Sequence, residues 1–118
     1  MHEASVARKL LSAVLERAAT ERAGRVIAVR GWVADAEQLS AESLARHFAL
    51  NAASTIASGA RIEVQVEAVS ARCSKCAEIF RPDHHLMLCP RCGSSEASML
   101  GRTGIGIDAI DIETETKN

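Results

Sequence analysis

Cys73-Ser74-Lys75-Cys76 and Cys89-Pro90-Arg91-Cys92 are two C-x-x-C pairs separated by twelve residues, and together they use all four cysteines of the chain. Tetrahedral zinc needs four ligands converging on one point, and thiolates are favoured donors. Each C-x-x-C turn presents two sulfurs from one tight loop, and two such loops facing each other close the shell. Gly93, directly after the second pair, permits the backbone to turn back past a metal. A module of about thirty residues buries too little apolar surface to fold alone. Zinc contributes on the order of 10–16 kcal/mol at neutral pH, which removes that difficulty. A closed four-sulfur site leaves no open position for water, so its expected role is structural and not catalytic. The redox alternative needs a thioredoxin-like βαβ setting around a single pair. The expected cytosolic location also disfavours disulfides.

Met1-His2-Glu3 offers a different chemistry. His2 is bulky, so Met1 is expected to stay and the chain to begin with a free α-amine beside an imidazole. The amine, the deprotonated His2 amide nitrogen and the His2 imidazole can form fused chelate rings. The Glu3 amide nitrogen can complete a planar four-nitrogen set. Tetragonal nitrogen ligation suits Ni(II) or Cu(II), not zinc. Cu(II) binds such a site more tightly, so selection for nickel has to come from delivery. Taken alone the triplet reads equally as an ordinary frayed terminus. His84 and His85 follow Pro82-Asp83 between the two cysteine pairs and are expected at a polar hairpin tip. The sharper alternative is that one imidazole replaces a thiolate in a pH-dependent way. His47, beside Arg46, is expected at a solvated helix surface.

These groups must be positioned by a small chain. It has 118 residues, 47% hydrophobic and 25% charged, which is globular composition and argues against disorder. Its formal net charge is -1, so a strongly electrostatic nucleic-acid binder is not expected. No stretch is apolar and long enough to span a bilayer, and the start lacks a basic n-region and apolar h-region. The expected compartment is therefore cytoplasmic. Trp32, Phe48 and Phe80 are the only aromatics, so the core has to be aliphatic.

Val6, Leu10, Val14 and Ala18, widened by Leu11 and Leu15, predict an amphipathic helix over residues 4–23. Ser5 or Glu3 could cap it, and Gly24 could stop it. The β-branched run 25–34 predicts a strand with Ile27, Val29 and Val33 on one face. A second helix is predicted over 41–54, with Ser40 as N-cap, a Leu39–Leu44 hydrophobic staple, and Leu44, Phe48 and Ala52 inward. Strict alternation over 61–69 predicts a strand with one wet face. Ile105, Ile107, Ile110 and Ile112 predict a last strand whose phase slips near Ala109. Trp32 is expected to be buried. The expectation is an α+β fold: two helices on a sheet of about three strands, with an inserted zinc-ribbon (rubredoxin-like) module. Residues 1–70 and 104–118 would form the core domain and 71–103 the zinc-binding domain.

The combination of Met1-His2-Glu3, an amphipathic helix, an α/β core, C-x2-C-x12-C-x2-C and a final strand resembles the hydrogenase nickel-incorporation family (HypA/HybF). Glu42-Ser43-Leu44, Gly59-Ala60-Arg61-Ile62-Glu63-Val64 and Leu88-Cys89-Pro90-Arg91-Cys92-Gly93-Ser94 add to the likeness, which covers nearly the whole chain. Ala4 and the stretch Arg30-Gly31-Trp32-Val33-Ala34-Asp35 depart from the family pattern. The resemblance implies a non-enzymatic nickel metallochaperone. Met1, His2 and Glu3 would hold Ni(II) as cargo, and Cys73, Cys76, Cys89 and Cys92 would hold structural zinc. The implied partners are the GTPase HypB and the large subunit of [NiFe]-hydrogenase, and in some organisms the urease maturation proteins. No nucleic acid or membrane partner is implied. The rival readings are a zinc-ribbon module for nucleic-acid binding or regulation, touching phosphates through Lys75, Arg81 and Arg91, and a thiol oxidoreductase.

Overall fold

The computed structural model describes residues 3–35, 39–82 and 87–114. Along the chain run α1 (Glu3–Thr20), β1 (Ala23–Asp35), α2 (Ala41–Ala52), β2 (Arg61–Ala68), β3 (Ser70–Cys73), β4 (Ile79–Phe80), β5 (Ala97–Leu100) and β6 (Gly104–Thr114). Two compact units divide it. One comprises Met1–Val33, Leu39–Val66 and Ile105–Asn118; the other comprises Ala34–Gln38 and Glu67–Gly104.

The first unit is built on a three-stranded sheet in the order β2-β1-β6. The α1 stripe buries Val6, Ala7, Leu10, Leu11, Val14 and Ala18. From α2 come Leu44, Phe48 and Ala52, at the predicted helical spacing. Along β2, half-buried Ile62, Val64 and Val66 alternate with exposed Arg61, Glu63 and Gln65, so one face meets the core and the other meets water. Ile105, Ile107, Ile110 and Ile112 all pack on that same core from one unbroken strand. Strict alternation cannot do this, so the period breaks between Ile107 and Ile110 where the sequence placed the slip. Phe48 is the one aromatic among the buried residues of this core, and the rest is aliphatic.

Several local expectations need correction. The first helix ends at Thr20, not 23, and the turn is made by Glu21 and Arg22. Arg22, at φ 54°, takes the left-handed conformation expected of Gly24, which instead lies inside β1. Ser5 is not a cap but sits within α1, where its Oγ accepts from Arg8 Nη2 at 3.3 Å. Val26, not Ile27, joins Val29 and Val33 in the core. The second helix ends two residues earlier than predicted, at Ala52. Ser40 does cap it: its Oγ accepts from the Ser43 N–H at 3.2 Å.

Trp32 is half-buried rather than buried. Its indole lies over Gly106, where a Cβ would come within 2.3 Å of Trp32 Nε1. Only glycine leaves room for the ring there.

The second unit contains a three-stranded sheet for which the sequence predicts no individual strands. Its order is β4-β3-β5, with both neighbours antiparallel to β3. Ala71 stands opposite Phe80 and Met99, and Cys73 stands opposite Ala97. Strands of four, two and four residues are too short to show a period in sequence. The unit's core cluster buries Ala71, Cys73, Phe80 and Cys89, with Cys76, Met87 and Ala97 packed against them. Arg102 closes the unit at its surface by a two-pronged contact with Glu67, its Nε donating to Oε1 at 2.9 Å.

Candidate metal centre

The two cysteine pairs adopt the same local backbone. The N–H of Cys73 bonds to the Glu78 carbonyl at 2.8 Å, and that of Cys89 to the Ser94 carbonyl at 2.9 Å. One residue past each pair, Ala77 and Gly93 donate back to the carbonyls of Cys73 and Cys89 at 3.0 and 2.8 Å. Both residues are left-handed, with φ 64° and 76°. Glycine adopts this readily; alanine is strained there by about 1–2 kcal/mol. Each loop is thus a tight knuckle that turns its backbone N–H groups toward sulfur. The Lys75 N–H lies 3.4 Å from Cys73 Sγ.

The four sulfurs lie within 4.8 Å of one another, the convergence a single metal ion requires. Cys73 and Cys92 Sγ are 3.5 Å apart, as are Cys76 and Cys89 Sγ. Cys73 and Cys89 are buried, Cys76 is half-buried and Cys92 is exposed. An open pocket lined by Lys75, Gly93, Ser94, Ser95 and Glu96 adjoins Cys76 and Cys92.

Crowding separates the thiols' acidities. The Cys76 N–H, aided by that of Lys75 and opposed by burial, holds Cys73 down at about 6. Cys76 receives the Glu78 N–H, yet burial and the hydrogen bonds with Cys89, Cys73 and Cys92 outweigh it and push this thiol up to about 12. Burial works against ionisation of Cys89, but the N–H groups of Cys92 and Arg91 bring it below the usual thiol range. The Ser94 N–H favours Cys92 thiolate, while the hydrogen bond with Cys73 and burial carry it above that range. Thiols sharing protons in this way cannot all ionise at neutral pH by themselves. A dication at their centre supplies the missing charge, so this donor set fits a thiophilic metal such as zinc.

Of the predicted N-terminal set, Met1 and His2 lie outside the described residues, as do His84 and His85. Glu3 is the first residue of α1. Its Oε2 accepts from the Ser40 N–H at 2.6 Å, a contact the sequence reading missed. That N–H, with the Ser43 side chain and the nearby charges of His47 and Arg46, holds the Glu3 carboxyl below its usual range. His47 is half-buried and not fully solvated as predicted. The available sequence signal was Ser40-x-x-Ser43, a cap lacking the glutamate of a capping box. Among the described residues no helix is long and apolar enough to cross a membrane.

Fold and site together define an α+β protein in which a helix-and-sheet unit is joined to a zinc-ribbon module with a four-cysteine metal-binding cluster. Residues 1–112 match the family described as hydrogenase/urease nickel incorporation, metallochaperone, hypA. The hydrogenase maturation factor HypA of Xanthobacter autotrophicus is 32% identical over 112 residues, covering 95% of this chain and 99% of that protein. The HypA of Chlorobium phaeobacteroides is 33% identical over 114 residues, covering 96% and 100%. The solution structure of the Ni metallochaperone HypA from Helicobacter pylori shares the fold, with a TM-score of 0.66 at 19% identity over 98% of this chain and 100% of that one. The chain belongs to the HypA family of nickel metallochaperones for hydrogenase maturation.

Proposed function

We propose that this chain carries Ni(II) at Met1, His2 and Glu3 and, with the GTPase HypB, delivers it to the large subunit of [NiFe]-hydrogenase. The observation that carries the reading is the family match, which spans both the Met1-His2-Glu3 start and the four cysteines. Nickel is cargo: it leaves by ligand exchange to a partner that offers further donors, and the chain performs no turnover. An ion held at the start of the chain stays accessible to an incoming ligand. The urease maturation proteins are the second class of recipient that the reading admits.

In this reading Cys73, Cys76, Cys89 and Cys92 hold zinc, and residues 71–103 act as the zinc-binding domain. Residues 1–70 and 104–118 form the nickel-binding domain. Zinc there would offset two of the four thiolate charges and tie the two knuckles together. The chain's own contribution is the set of backbone N–H groups aimed at the sulfurs. The protein works in the cytoplasm.

The test is His2→Ala in protein with an authentic start. It should lose specific nickel binding while keeping its zinc and its far-UV helical signal. Normal nickel affinity in that variant removes the proposal.

A further inference from the structure

The start of α2 is capped in two parts. Ser40 Oγ accepts the Ser43 N–H at 3.2 Å. In a capping box, a glutamate at the third helical position would return the bond by accepting the cap residue's own N–H. Here that position is Ser43, and the Ser40 N–H goes instead to Glu3 Oε2 at 2.6 Å, across 37 residues of sequence. The box is completed from another helix. Glu3 also lies in the first turn of α1, so one carboxylate serves the positive ends of two helices.

Glu3 directly follows His2 in the chain. In the nickel reading above, on which this inference rests, its amide nitrogen is one of the donors. Turned to a metal, this carboxylate would give up the Ser40 N–H and leave α2 with only the Ser40 Oγ part of its cap. We propose that the Glu3 side chain is a positioning group and not a nickel donor: it fastens the metal-binding start of the chain to the first turn of α2. Ser40 and α2 thereby become part of the nickel site's support. Groups that orient metal ligands in this way typically matter by 10–100-fold in affinity.

The experiment is a nickel titration of the untagged, zinc-loaded chain as wild type, Glu3→Ala and Glu3→Gln, read by visible absorption and by Ser40 amide exchange. Both variants keep the amide nitrogen. Glu3→Ala should keep the planar nickel band at its wild-type wavelength, bind nickel roughly 10-fold or more weakly, and expose the Ser40 amide to exchange about 10-fold faster. Glu3→Gln, which retains a neutral acceptor, should fall between the two. Unchanged zinc content shows that the variants are folded. A lost or shifted band in Glu3→Ala makes the carboxylate a donor and overturns the inference. Unchanged nickel affinity or unchanged Ser40 exchange in that variant also overturns it. A wild-type chain that takes up no nickel removes the nickel reading itself and this inference with it, whereas failure of the variants alone removes only the inference.

Discussion

Removing the metal from the four-cysteine unit should unfold that unit and spare the other. The core cluster of the second unit has four buried members, two of them cysteines, and Phe80 is the only large apolar side chain among them. Full burial of a phenylalanine contributes about 1.5–3 kcal/mol. A bound structural zinc contributes on the order of 10–16 kcal/mol. The metal term is therefore several times the packing term, and packing alone cannot hold three strands of four, two and four residues. The core cluster of the first unit has fourteen buried residues, and that unit holds both helices, none of which uses a cysteine. A strong chelator added to the zinc-loaded protein should abolish amide protection at Ala71, Cys73 and Phe80. The far-UV helical signal and protection along α1 should persist. Cys89→Ser should reproduce this without chelator. Retained protection at Ala71 and Phe80 after zinc has measurably left would refute the reasoning, as would loss of the helical signal in step with the metal.

Three further outcomes follow from single positions. Ala77→Gly should relieve the left-handed strain of the first knuckle and Gly93→Ala should introduce it in the second, moving the chelator midpoint for zinc release in opposite directions by about 1 kcal/mol each. Gly106→Ala would place a Cβ 2.3 Å from Trp32 Nε1, so the indole must move by about 1 Å to reach ordinary contact. Its cost should be about 1–3 kcal/mol, and the emission of Trp32, the one tryptophan of the chain, should shift to the red. The Arg102 guanidinium bonded to Glu67 holds that carboxyl below its usual range. A carboxyl lowered by folding stabilises the fold above its unfolded pKa, and that contribution is lost as pH falls through the lower folded value. Carbon NMR should show Glu67 titrating below the ordinary glutamate range in wild type and within it in Arg102→Ala.

The legible parts of the fold were those with a long period. Fourfold spacing in α1, alternation in β2 and the Ser40 cap each depend on neighbours in sequence, and each stands where the residues put it. The β6 slip was visible because isoleucines mark both of its phases. Boundaries failed where a residue took an unfavoured conformation. Arg22 turns left-handed two positions ahead of the obvious Gly24. The β3-β4-β5 sheet was invisible because its pairing joins Ala71 to Phe80 and Met99 across a loop closed by four sulfurs. The cysteines themselves were plain, since C-x-x-C carries its geometry within four residues. The contact of Glu3 with Ser40 could not be read, because it depends on two helices packing side by side and not on any local pattern.

The most direct test of the central claim is a nickel titration of the zinc-loaded chain with an authentic, untagged start, beside the same chain with one residue added before Met1. We predict one Ni(II) per chain with a planar d–d band in the first, and loss of that band in the second with zinc content unchanged. Absence of nickel binding in the untagged, folded, zinc-loaded protein, or binding that survives the added residue, would contradict it.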